Sequence, residues 1–138
     1  MSERGFVIMN EKGILGKSGE EAAAKYLRRS GYVIAARNFR CAPGEVDIIA
    51  YAKEPGIMCF VEVKTRSSDC CGRPAEAVTP EKQRHIMRAA EFYMIINGIY
   101  GRTDMRFDVI EAFADNAEVT EKKHFTVNHI IGAFGEGW

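Results

Sequence analysis

Gly44-Glu45-Val46-Asp47-Ile48-Ile49-Ala50-Tyr51 and, past a turn, Phe60-Val61-Glu62-Val63-Lys64-Thr65-Arg66 decide how this chain folds. Residues 46–51 and 57–63 are rich in β-branched and aromatic side chains, the composition of strands. Both runs are nearly continuous in apolar residues, as strands buried on both faces are. Asp47, Glu62 and Lys64 interrupt them. A charge inside a buried strand is costly unless it is paired or binds a metal. These interruptions are therefore the candidate functional positions.

Lys53-Glu54-Pro55-Gly56 separates the two strands, and Pro-Gly suits the centre of a type II turn. Side chains alternate faces along a strand. Glu45, Asp47, Ile49 and Tyr51 are expected on one face, and Phe60, Glu62, Lys64 and Arg66 on one face of the next strand. A loop of even length sets Asp47 across from Glu62 or Lys64, whereas an odd loop without a bulge sends it to the other face. Two carboxylates about 4 Å apart repel by roughly 4 kcal/mol at an effective dielectric near 20. Lys64 can offset that repulsion, and so can a divalent metal, for which hard oxygen ligands favour magnesium or manganese. The competing reading is a buried Glu-Lys or Asp-Lys ion pair.

Length and composition set the frame. A chain of 138 residues fits a single domain, 1–138, able to bury about two thirds of its unfolded surface. Hydrophobic content of 46% and charged content of 28% are those of an ordinary globular protein. No run of 18 apolar residues exists, so no membrane helix or membrane partner is expected. Residues 1–13 lack a secretory apolar region and read as a flexible arm, so the expected location is cytoplasmic. Cys41, Cys59, Cys70 and Cys71 contain no Cys-x-x-Cys pair and read as reduced thiols. Net charge is zero, but residues 17–106 hold 15 Lys and Arg against 11 Asp and Glu, an excess of four. If several of those acids gather on a metal, the surface around them is more basic than the total suggests.

The remaining elements follow in order. Residues 15–30 carry Ala22, Ala23, Tyr26 and Leu27 at helical spacing, with Gly31 at the C-terminal cap position. Ser18 can cap the start, with Glu20 and Glu21 in the first turn. Glu20 is then either an acid favoured by the helix dipole or an additional metal or water ligand. Residues 32–40 read as a first strand, with Arg37 and Arg40 near the mouth of the candidate site. Residues 67–78 have no periodicity and follow the Glu62 strand directly, so Arg66 and Arg73 are either phosphate contacts or part of a surface connector. Thr79-Pro80 starts a second helix. Its buried face is expected at Ile86, Ala89, Ala90, Tyr93 and Ile96, and Gly98 stops it. Lys82, Gln83 and Arg84 are either solvated or turned toward phosphates. Residues 105–113 and 124–133 read as further strands. Arg106 and Asp108 share a face as an ion pair or edge polarity, while His124 and His129 are unaccompanied. No phosphate-binding loop or dinucleotide fingerprint is present.

The order α-β-β-β-α-β, with Glu on the first helix, Asp on the second strand and Glu-x-Lys on the third, resembles the restriction-endonuclease-like core, a mixed α/β fold whose central mixed sheet is flanked by helices. More specifically, Gly19-Glu20-x-x-Ala23-x-x-Tyr26-Leu27, Asn38-Phe39-Arg40, Gly44-Glu45-Val46-Asp47, Phe60-Val61-Glu62-Val63-Lys64-Thr65-Arg66, Lys82 and Arg106-Phe107-Asp108-Val109 resemble the YraN-like family of predicted endonucleases. That family is usually grouped with archaeal Holliday junction resolvases, and the match covers residues 15–134. The resemblance implies metal-dependent phosphodiester hydrolysis. Asp47, Glu62 and the Val63 carbonyl would hold Mg2+ or Mn2+, with Glu20 completing the shell directly or through water. Lys64 would position the attacking group and neutralise charge at the scissile phosphate. Arg40, Arg66, Arg73, Lys82 and Gln83 are the candidate nucleic-acid contacts. DNA is the expected partner, including branched DNA, and resolvases suggest a homodimer by analogy. Two other classes stay open: a nucleic-acid-binding module that acts only with a partner, and a structural domain with an ion-paired core.

Overall fold

The computed structural model describes residues 11–42, 44–67, 78–114 and 124–135. Helix α1 (Glu11–Arg29) leads into β1 (Tyr32–Cys41), β2 (Gly44–Ala52) and β3 (Ile57–Ser67). Helix α2 (Pro80–Ile96) follows, then β4 (Asp104–Ala114) and β5 (Phe125–Phe134). The five strands form one mixed sheet in sequential order β1-β2-β3-β4-β5. Only β3 and β4 run parallel, because α2 carries the chain back across one face of the sheet between them. The α/β expectation holds, and the last strand expected at 124–133 is β5, which pairs beyond β4 of the core order.

Each helix covers one face. Ala23, Ala24 and Leu27 of α1 pack with Ile48, Ala50, Cys59, Val61 and Ile110. Ile86, Ala89, Ala90 and Met94 of α2 pack with Ile49, Phe60, Phe107 and Val109 on the other side. Residues 46–51 and 57–63 are therefore apolar in both phases, since β2 and β3 are sandwiched between helices. Phe60 stacks on Phe107 at 5.7 Å, and Phe107 on Phe134 at 5.4 Å, so one aromatic row crosses three strands. Ile96, expected in the core, is 56% exposed, while Met94 is fully buried and takes its place.

Three local expectations change. Helix α1 begins at Glu11, not residue 15, so 11–13 belong to the helix rather than to an arm. Apolar spacing starts only near Leu15, but a helix extends past its buried face when nothing breaks it. Ser18 therefore lies inside the helix and caps nothing, and Glu20 and Glu21 lie past its first two turns, beyond reach of the end dipole. The far end is as expected: Gly31 has φ +96° and its N–H bonds to Arg28 O. The β2–β3 hairpin closes through Gly56 N–H to Ala52 O, a bond spanning four residues instead of the three of a type II turn. Glu54–Pro55 is a cis bond.

His129, expected to be unaccompanied, sits in a buried polar network on the α1 face. Its Nε2 is 2.8 Å from Asp108 Oδ2 and its Nδ1 2.9 Å from Tyr26 Oη. Arg106 donates to both carboxylate oxygens of Asp108 at 2.9 Å and to Tyr32 Oη at 2.7 Å. The Gly132 N–H completes the set at 3.0 Å. Arg106 and Asp108 are an ion pair as anticipated, but β4 lies between β3 and β5, so the pair is not an edge feature. The network ties α1, β1, β4 and β5 together.

Candidate active site

The hairpin register brings the acids together. Ala52 pairs with Ile57 across a four-residue loop, and the pairing continues without slippage to Ile48↔Val61. Continued one step, that register would set Asp47 across from Glu62, and the two are near enough for the Glu62 charge to raise the Asp47 carboxyl. The loop is thus of the even length that brings the Asp47 and Glu62 ends of the two strands together. At this point the ladder gives way to a side-chain bond, in which Val63 N–H donates to Asp47 Oδ2 at 2.8 Å. The Val63 N–H thus orients Asp47, while the Val63 carbonyl, the expected ligand, is a separate group that this bond leaves free to act.

The strict alternation of β2 breaks at Asp47. Val46 and Ile49, three residues apart, both join the core beneath α2. On β1, Asn38 falls between the pairs Arg37↔Ile48 and Phe39↔Val46, and has φ +53°. Asn tolerates this left-handed conformation better than most residues. Irregularities of this kind re-aim side chains beside functional sites. Here the distortion faces the residue that turns onto β3.

Two ammonium groups converge on the other acid. Glu62 is 5% exposed, and its Oε2 lies 3.4 Å from Lys64 Nζ and 3.4 Å from Lys82 Nζ. Lys82 reaches it from the first turn of α2, where its N–H is capped by Thr79 Oγ1. It is ion-paired there rather than merely solvated. Among the described residues, Asp47 has no such cation within ion-pair distance. Burial, followed by the nearby Glu62 charge, pushes its carboxyl up to about 7, against the Val63 N–H bond. Glu20 is raised, chiefly by burial, with Arg37 and Lys17 opposing and Glu62 adding to the rise. Glu20, Asp47 and Glu62 thus sense one another across α1, β2 and β3.

Close backbone approach fixes these elements. A Cβ on Gly19 would lie 2.8 Å from Thr65 Cγ2, and one on Gly44 would lie 2.7 Å from the His85 carbonyl oxygen. Glycine at 19 seats α1 on β3 next to Glu20. Glycine at 44 seats the start of β2 against α2.

The outer candidates are scattered. Arg40 pairs with Glu45 at 3.1 Å on the exposed surface. Arg37 pairs with Glu21 at 2.9 Å, which lowers the Glu21 carboxyl. Gln83 donates its side-chain amide to Val78 O at 3.1 Å, an anchor of the helix start. Arg66 is half-buried, and its Nε has no hydrogen-bond partner among the described residues. Arg73 lies outside the described residues, as do Cys70 and Cys71; Cys41 and Cys59 are free thiols. Burial pushes the Cys59 thiol up to about 11, so it is an inert core residue. A cavity of about 340 Å³ lies between α2, β4 and β5 and includes none of the candidate residues.

Sequence reading missed Glu111. It is fully buried on β4, with Lys64 beside it in the parallel register. Its position two residues past Val109 and four past Phe107 was the available signal. Among the described residues, no group of three or more His, Cys, Asp and Glu forms a ready metal cage. The donors fit magnesium in a different way. Two hard carboxylates face one another, and that ion commonly takes one or two protein carboxylates and completes its shell with water and substrate phosphate.

A family model described as "Uncharacterised protein family UPF0102" matches residues 19–112, which include every described candidate. A UPF0102 protein of Chlorobium limicola is 45% identical over 123 residues, covering 88% of this chain and 92% of the relative. Another from Prosthecochloris aestuarii is 44% identical over 120 residues, covering 87% and 92%. One from Clostridium botulinum is 42% identical over 120 residues, covering 87% and 93%. No helix among the described residues is long and apolar enough to cross a membrane. These matches agree with the YraN-like resemblance, and on them the chain belongs to the uncharacterised protein family UPF0102.

Proposed function

We propose that this protein is a metal-dependent endonuclease that hydrolyses phosphodiester bonds in DNA, with branched DNA such as four-way junctions among its substrates. The observation that carries the reading is the facing pair Asp47 and Glu62, flanked by Lys64 and Lys82 on a sheet clamped between two helices. A divalent cation held by the two carboxylates would supply charge neutralisation and lower the pKa of water. Asp47, Glu62 and the Val63 carbonyl would hold it, with Glu20 completing the shell directly or through water. The Val63 N–H fixes Asp47, so the carboxylate is oriented before any ligand arrives. Lys64 and Lys82 place two positive charges where a scissile phosphate would sit, and preorganised charge of this kind stabilises charge as it develops. Arg66 and Arg40 extend the cationic surface along the DNA backbone. Cytoplasmic location and a homodimer matched to a two-fold junction accompany the reading.

One observation favours a second reading. Both ammonium groups already neutralise Glu62, as they would in a nucleic-acid-binding module that needs a partner to act. Labelled four-way junction, flap, duplex and single-stranded DNA incubated with magnesium, manganese or chelator separates the two. Asp47→Ala is expected to fold normally and to cut at least about a hundredfold more slowly than wild type. Wild-type binding without cutting under every condition would favour the module, and unchanged cutting by Asp47→Ala would remove Asp47 from the chemistry.

A further inference from the structure

Glu111 is fully buried, yet only half of its carboxylate is satisfied. Oε1 accepts from Asn128 Nδ2 at 2.8 Å, while Oε2 has no hydrogen-bond partner among the described residues. The other fully buried acid, Asp108, has donors on both oxygens. A buried oxygen left bare is unfavourable unless something uses it.

The neighbour on the next strand is Lys64, the register partner of Glu111 in the parallel β3–β4 ladder. Register partners in this ladder share a face, as Phe60 and Phe107 do by stacking beneath α2. Lys64 Nζ sits 3.4 Å from Glu62 Oε2, which Lys82 Nζ also approaches at 3.4 Å. A divalent cation on Glu62 would compete with both ammonium groups for that oxygen. Lys82 is 39% exposed and can retreat to water. Lys64, 26% exposed on the middle strand, has fewer places to go.

We propose that Glu111 Oε2 is a second seat for the Lys64 ammonium, which moves from Glu62 to Glu111 when a divalent cation takes Glu62. The inference rests on the metal-dependent reading and adds to it a positioning residue. Glu111 holds the charge of Lys64 at the site while freeing Glu62 to act as a ligand. Arg66, two residues along β3, is the rival cation for Glu111, and its Nε is likewise unpartnered among the described residues.

A double-mutant cycle on manganese affinity, measured by calorimetry with the full chain, tests this. Glu111→Gln is expected to weaken binding about tenfold when Lys64 is present and less than about twofold in a Lys64→Ala background. In parallel, the Lys64 side-chain NMR signal is expected to shift on magnesium addition in wild type, and to shift differently in Glu111→Gln. An equal loss in both backgrounds would make Glu111 a cation ligand or a structural acid and overturn the proposal. No loss in either background would overturn it too. If wild type binds no divalent cation, the metal-dependent reading itself falls. That result is distinct from cation binding that ignores Glu111.

Discussion

Asp47 and Asp108 are acids on neighbouring parts of one sheet, and their surroundings push them in opposite directions. Asp47 rises because burial and Glu62 outweigh its one backbone donor. Burial also pushes Asp108 up, but hydrogen bonds from His129, Arg106 and Gly132 outweigh it and hold the carboxyl below its ordinary 3.8. The sign of the pH dependence follows. A carboxyl held low in the folded state lends stability that is complete above about pH 4 and is lost as pH falls through the folded value. Asp108→Asn should therefore cost roughly 3–5 kcal/mol at pH 7, the range for breaking a buried ion pair. In urea unfolding, the gap from wild type should narrow below pH 4, and a gap independent of pH would contradict the assignment. At this scale the sequence was informative in the hairpin, where charges that break apolar runs singled out Asp47, Glu62 and Lys64, but the same signal at Glu111 on β4 did not stand out. It was blind to His129, because the partners Tyr26 and Asp108 lie far away along the chain.

Helix α1 shows how much an element's placement depends on a single side chain. Gly19 and Gly16 are both helical glycines, but a Cβ at Gly16 meets nothing within 4 Å, whereas one at Gly19 runs into the β-branched, stiff Thr65. Gly16→Ala is expected to stabilise the protein by up to about 1 kcal/mol through helix propensity. Gly19→Ala should destabilise it by about 1–3 kcal/mol by overpacking, and should displace Glu20 from the acidic pair. Thermal melts of the two variants give the comparison, and equal shifts would mean that α1 is not seated through Gly19. The helices, the hairpin and the α2 cap were legible from spacing, Gly31 and Thr79-Pro80. The start of α1 was not, because its first turn has no apolar periodicity. Nor was the kink at Asn38 and Asp47, which depends on two strands being paired.

Across the whole molecule, strand order equals chain order, so most sheet contacts join neighbours along the sequence. The fold class and the facing acids were legible for that reason, since both depend on a short hairpin. What joins the ends of the chain was not. The Val63 N–H to Asp47 bond closes over 16 residues, but Tyr26 and His129 are 103 residues apart. Closing a long segment costs more chain entropy, and non-local contacts are expected late in folding. His129→Ala should therefore accelerate unfolding while leaving the refolding rate nearly unchanged, a low φ-value measurable by stopped-flow fluorescence. Slowed refolding would place the His129 contact in the nucleus instead. During synthesis, the acidic hairpin would be complete once residue 63 has left the ribosome, well before β5 exists to lock α1 in place. The half of the molecule that carries Asp47 and Glu62 would then be the first to acquire its shape, and the C-terminal strand the last to make that shape permanent.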